Sequence, residues 1–134
     1  YYKEILYILS CKAKKVICVP PIFIGEHLKN KWNQELKEIS ILIKEITNLF
    51  ENVLYLDLRK IFESNLENKN PSNYIVKSNI RVFLDFLMYN KSGKIDKKSY
   101  DRGLFFTLDG VHLNSKAAKI VSDVFSNKID EILS

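Results

Sequence analysis

Two short apolar runs, separated by a long amphipathic segment, constrain most strongly what this chain can fold into. Residues 15–19 end at two prolines, which cannot donate to a sheet ladder, and residues 53–58 form the second run. Runs that are apolar almost throughout are typical of strands in parallel sheets, which are covered on both faces. Between them, apolar residues spaced by three and four predict a helix from about 28 to 50, with the stripe Leu28, Trp32, Leu36, Ile39, Ile43, Ile46 and Phe50. The alternation predicts an α/β fold.

Further helices are expected near the two ends of the chain and at residues 80–87, whereas residues 90–102 are predicted to form a polar loop. Residues 61–106 have the loosest pattern and are interpreted as a variable region within one domain of residues 1–134. Two strands alone cannot make a sheet that is covered on both faces. We therefore expect the C-terminal portion of a larger domain, with its N-terminal strands upstream and an exposed sheet edge that favours self-association.

Composition narrows the classes of function. Only three of the 21 basic residues are arginines, and the lysines are spread among 16 acids, so we expect no nucleic-acid binding. Cys11 and Cys18 are interpreted as buried thiols, which favours a cytoplasmic location only weakly. No apolar run reaches the length of a membrane span. The chain opens at Tyr1 without a methionine, so the apparent absence of a signal peptide leaves localisation open.

The segment from Leu108 to Asn114 (Leu-Asp-Gly-Val-His-Leu-Asn) carries the strongest chemical pattern. Asn114 or Ser115 can cap the last helix, so His112 lies at a loop-to-helix junction, where a ring nitrogen can face a cleft. Asp109, three residues earlier across a turn at Gly110, can bind the other ring nitrogen and stabilise the imidazolium. The alternative is an Asx turn at Asp109 with a purely structural His112.

This segment resembles the final block of the SGNH (GDSL-like) hydrolases, Asp-Gly-x-His-Leu/Pro-Asn before the last helix. Val19-Pro20-Pro21-Ile22 is similar to the strand end beside that family's active-site cleft. The resemblance implies a three-layer α/β/α sandwich with a parallel, flavodoxin-like sheet. It also implies hydrolysis of a small-molecule carboxylic ester or thioester without metal or cofactor. His112 would be the general base and Asp109 its orienting carboxylate, with Pro21 and Ile22 near the substrate.

The chain departs from the family in two blocks. Neither Gly-Asp-Ser, which holds the family nucleophile, nor Gly-x-Asn-Asp, which supplies oxyanion donors, occurs in the sequence. We therefore expect the nucleophile upstream of this chain, and expect the 134 residues alone to be inactive. The alternative is a non-catalytic domain on the same scaffold that binds a glycan or a partner protein.

Other candidates have ordinary structural interpretations. His27 is predicted to be solvated or capping, although its loop could touch substrate, and Asp57 is predicted to cap a helix. Trp32 is assigned to the core rather than to a sugar platform. Four further apolar residues either form an acyl-binding lid or cover a sheet edge, namely Phe83, Phe86, Leu87 and Met88.

Overall fold

The computed structural model describes residues 1–89 and 92–134. In this part of the chain the fold is mixed α/β, with six helices and one short parallel sheet. In chain order the elements are α1 (Tyr2–Lys12), β1 (Val16–Cys18), α2 (Lys31–Thr47), β2 (Val53–Tyr55), α3 (Leu58–Leu66), α4 (Asn79–Met88), α5 (Ser92–Asp101) and α6 (Ser115–Leu133).

The two strands pair in parallel, as the apolar runs predict. Val16 is opposite Val53 and Cys18 is opposite Tyr55 in the register. The strands are shorter than the apolar runs, since β1 ends at Cys18 before Pro20 and Pro21, and β2 ends at Tyr55, two residues before the N-cap of α3 at Asp57. α1 and α2 pack beside this sheet, with a core cluster of Leu6, Cys18, Ile43 and Val53.

A second core cluster lies away from the sheet and supports the segment that leads to Asp109. Phe62 is completely buried at its centre and makes edge-to-face contacts with Phe23 at 5.6 Å and with Phe106 at 5.3 Å between ring centroids. Leu66 and Ala117 complete the cluster. It therefore joins α3 and α6 to the loops after β1 and before α6.

The long helix is present, but its buried face differs from the predicted stripe. The side chain of Asn30 accepts from Asn33 N at 2.8 Å, so α2 begins at Lys31 rather than at Leu28. The buried face includes Asn33, Ser40 and Thr47, each with a hydrogen-bonded side chain, which removes the usual cost of burying a polar group. Trp32 is 53 % exposed, so its assignment to the core is wrong.

Residues 59–108 are more regular than the sequence suggests. α5 occupies most of the predicted polar loop, which corrects that prediction, and Asn90 and Lys91 lie outside the described residues. α4 and α6 are confirmed as helices. Asp57 caps α3 by accepting from Lys60 N at 3.0 Å, which confirms the capping interpretation.

The cysteines and the absence of a membrane span were smaller predictions that the structure addresses. Cys18 is buried, but Cys11 is exposed on α1, so its interpretation as a buried thiol is wrong. Within the described residues, no helix has the length and apolar character needed to cross a membrane. Self-association through a sheet edge stays a prediction.

Candidate active site

Asp109 and His112 form a hydrogen-bonded pair in the loop before α6. Asp109 Oδ2 lies 2.8 Å from His112 Nδ1, within the reach that the sequence predicts. Asp109 Oδ1 accepts from the backbone N–H groups of Val111 at 3.0 Å and His112 at 2.8 Å. The Asx turn is therefore present together with the side-chain contact, and the same turn holds the histidine over its carboxylate.

The two side chains differ sharply in exposure. The Asp109 side chain is 1 % exposed, whereas that of His112 is 58 % exposed. A carboxylate can only accept, so His112 Nδ1 is the donor of this contact, and in the neutral imidazole Nε2 then keeps its lone pair. Among the side chains that the structure describes, none hydrogen-bonds to His112 Nε2. This nitrogen can therefore accept a proton from a group that approaches from outside.

A short hairpin-like loop fixes the pair relative to α6. Leu108 N donates to His112 O at 2.8 Å, and Asn114 N donates to Phe106 O at 2.9 Å. The side chain of Asn114 then accepts from Ala117 N at 3.1 Å and so caps α6, as predicted. The loop is therefore closed at its base and continuous with the helix.

α5 and α4 hold the same loop from another side. Arg102 Nη1 donates to Leu108 O at 2.8 Å, and its Nη2 forms a buried ion pair with Asp85 Oδ2 at 2.6 Å. Ser99 Oγ donates to Thr107 O at 2.6 Å. These contacts make α5 part of the support of the site, although the sequence pattern had indicated an irregular loop there.

The loop after β1 reaches the site through its backbone. Gly25 N donates to Gly110 O at 2.6 Å, which joins this loop to the turn between Asp109 and His112. Pro21, on the same loop, is exposed, and Ile22 is half-buried against the core cluster around Phe62. A substrate-binding role for Pro21 and Ile22 stays a prediction.

His27 lies outside the contacts of the pair. Its carbonyl accepts from Asn30 N at 3.1 Å and Asn33 Nδ2 at 3.3 Å, so its backbone shapes the start of α2. Its side chain is half-buried beside a cavity of about 370 Å³ that Leu66 and Pro71 also line. The structure therefore gives His27 a local role in the loop.

The apolar side chains of α4 are largely exposed. Phe83 is 61 %, Leu87 is 55 % and Met88 is 60 % exposed, while the side chain of Phe86 lies outside the described residues. Exposure at this level shows that these three residues cover no sheet edge within the described residues. The role of an acyl-binding lid stays a prediction.

Sequence reasoning missed the two buried polar residues that hold the loop after β1, Glu26 and Asn33. Asn33 Oδ1 accepts from Ile24 N at 2.9 Å, and its Nδ2 donates to Gly25 O at 2.8 Å. The available signal was the Asn30-x-x-Asn33 pair at a helix start, which is typical of side chains that bind nearby backbone. Glu26 gave no comparable signal, because its partners lie about 80 residues away.

The described residues contain no group of three or more His, Cys, Asp or Glu placed to hold a metal ion. Comparison of the chain with protein-family models, with curated proteins and with solved structures finds no match. The relationship to SGNH hydrolases therefore stays a prediction, which rests on Asp109, His112 and the order of the elements.

Proposed function

We propose that this chain supplies the Asp–His part of a serine-dependent hydrolase of carboxylic esters or thioesters, of the SGNH type and with that family's three-layer sandwich. The observation that carries the proposal is the contact of 2.8 Å between buried Asp109 and exposed His112. An orienting acid that is buried and a base that is exposed match the division of roles in such a pair.

The reaction follows from the open position of His112 Nε2. A serine hydroxyl attacks the carbonyl carbon of the ester while Nε2 takes its proton, and Asp109 stabilises the imidazolium that forms. The tetrahedral intermediate then collapses to an acyl-enzyme, and Nε2 passes the proton to the leaving alcohol or thiol. Water repeats the sequence on the acyl-enzyme, which releases the acid and restores the serine.

The proposal places the serine outside these 134 residues. The chain has neither a Gly-Asp-Ser nor a Gly-x-Asn-Asp block. Loss of one oxyanion donor reduces kcat by about 10²–10³-fold, and loss of the nucleophile removes the acyl-enzyme route. The 134 residues by themselves are therefore expected to hydrolyse esters no faster than solution controls.

The decisive experiment compares histidine variants in the complete protein that carries this chain. Hydrolysis of p-nitrophenyl acetate should be lost almost entirely in His112→Ala, because the serine loses its base. His27→Ala is the matched control and should keep most of the activity, since its side chain makes no hydrogen bond with the pair. Full activity in His112→Ala would refute the proposal.

A labelling experiment tests where the nucleophile lies. The complete protein should react with a fluorophosphonate probe at one serine, and the 134-residue chain should not react. Stoichiometric labelling of the chain at one of its own serines would refute an outside nucleophile. A complete protein with neither labelling nor hydrolysis would favour the non-catalytic binding domain.

A further inference from the structure

Glu26 lies between β1 and α2, and its side chain is completely buried. Its carboxylate accepts four hydrogen bonds from three consecutive residues. Oε2 accepts from Phe105 N at 2.6 Å, and Oε1 accepts from Phe106 N at 2.7 Å. Oε1 also accepts from the backbone N–H of Thr107 at 2.6 Å and from its hydroxyl at 2.8 Å. One side chain thus satisfies a run of backbone donors.

A carboxylate without a counter-ion is an expensive group to bury, so its partners identify its role. Within the described residues, no Lys, Arg or His forms an ion pair with Glu26. Hydrogen bonds from N–H groups to a carboxylate are charge-assisted and strong, and here they all come from one segment. In the part of the chain that the structure describes, the hydrogen bonds of the carboxylate therefore all go to the segment 105–107.

That segment is connected directly to the turn of the Asp–His pair. The Thr107 hydroxyl, which donates to Glu26, also accepts from Gly110 N at 3.1 Å. Gly110 lies between Asp109 and His112. A single hydroxyl group, that of Thr107, therefore connects the Glu26 carboxylate with the turn.

The other end of this path is also fixed. Asn33 binds the backbone of Ile24 and Gly25, the two residues before Glu26. Arg59 Nη2 donates to Asn33 O at 2.8 Å, which ties this part of α2 to α3. Glu26 therefore connects the start of α2, which is held to α3, with the loop before α6.

We propose that Glu26 is a positioning residue for the Asp109–His112 pair. Its carboxylate sets the path of residues 105–107 and, through Thr107 and Gly110, the turn that keeps His112 Nδ1 on Asp109. The catalytic meaning of this role rests on the proposed ester hydrolysis, but the positioning itself can be measured without substrate.

The first test is Glu26→Gln, followed by ¹⁵N NMR of the imidazole of His112. The amide keeps the size of the side chain but places an NH₂ group against a backbone donor. We expect His112 to change from a single Nδ1–H tautomer to a mixture. The amides of Phe105, Phe106 and Thr107 should exchange with solvent about tenfold faster or more, because one or more of them loses its acceptor.

A second variant removes only the connection. Thr107→Val keeps the shape of a buried side chain and the three backbone contacts to Glu26, but it lacks the hydroxyl that Gly110 N uses. We expect the same change in the His112 signals, with little change in the exchange of the Phe105 and Phe106 amides. Asp57→Asn is the control, since Asp57 also accepts from a backbone N–H but caps α3.

The outcomes separate this inference from the proposed function. A folded Glu26→Gln chain with unchanged His112 signals overturns the positioning role. If Glu26→Gln does not fold, unchanged His112 signals in Thr107→Val overturn it instead. If the His112 signals change in Glu26→Gln or Thr107→Val, but the unmodified complete protein hydrolyses no ester, the proposed function is refuted and the positioning role stands.

Discussion

The carbonyl oxygen of Tyr74 lies 2.6 Å from the place that a Cβ atom on Gly110 would occupy. Gly110 also has a φ of +89°, a conformation that residues with a side chain rarely adopt. Next to this contact, Val76 N donates to Asp109 O at 2.8 Å, so residues 74–76 lie directly over the turn of the Asp–His pair. The turn therefore needs glycine both for its backbone angle and for the close approach of this segment.

Gly110→Ala should destabilise the fold and disturb the pair. The positive φ alone costs about 1–3 kcal/mol for a residue with a side chain, and the contact with Tyr74 O adds to this because a backbone atom cannot easily move aside. Urea unfolding should show the loss. Gly93→Ala is the matched control, since beyond its own helix backbone and chain neighbours no described atom lies within 4 Å of its Cβ position in α5. This control should leave stability unchanged or raise it by about 0.5 kcal/mol.

Asp109→Asn should change the tautomer of His112 without unfolding the chain. The amide oxygen can still accept from Val111 N and His112 N, which keeps the Asx turn, but the NH₂ group then faces His112 Nδ1. We expect the fold to be retained and the Nε2–H tautomer to dominate in ¹⁵N NMR. In the complete protein, kcat for a p-nitrophenyl ester should fall by about 10⁴-fold, because the base carries its hydrogen on the wrong nitrogen. An unchanged His112 tautomer in the Asp109→Asn chain would contradict this account.

The features that the sequence predicts correctly are local or periodic. The contact between Asp109 and His112 joins residues three apart across a glycine turn, so its geometry depends on few other parts of the chain. The parallel pairing of β1 and β2 follows from two apolar runs with a helix between them, since a parallel connection needs a crossover. The catalytic role of the pair stays a proposal.

The features that the sequence misses depend on distant partners. Asn33 is buried and Trp32 is exposed on adjacent positions of α2, because Asn33 finds backbone partners in the loop after β1. Hydrophobicity alone predicts the opposite, a buried Trp32 and an exposed Asn33. The burial of Glu26 depends on hydrogen-bond donors at residues 105–107, and no sequence pattern near Glu26 predicts these donors. Tertiary hydrogen bonds thus override the local preference at both places.

The buried pair of Asp85 and Arg102 should be important for stability. Both side chains are less than 10 % exposed, and Arg102 also holds Leu108 O. Asp85→Ala leaves the guanidinium buried without its counter-ion, so we expect a loss of about 3–5 kcal/mol in urea unfolding. Asp123→Ala is the control, because its pair with Lys119 on α6 is exposed and should change stability by less than about 1 kcal/mol. Equal effects of the two variants would contradict the structural role of the buried pair.

Tyr2 should make stability depend on pH in alkaline solution. Partial burial of the phenol and, secondly, its contact of 2.8 Å with Cys18 Sγ raise the pKa of Tyr2 from 10.0 to about 12. The folded state thus favours the protonated phenol, so the stabilisation is complete below pH 10 and is lost as the pH rises to about 12. In Tyr2→Phe, the free energy of unfolding should fall less steeply across this interval than in the unmodified chain. Tyr7→Phe, which alters an exposed tyrosine on the same helix, is the control, and equal slopes for Tyr2→Phe and the unmodified chain would show that Tyr2 does not contribute.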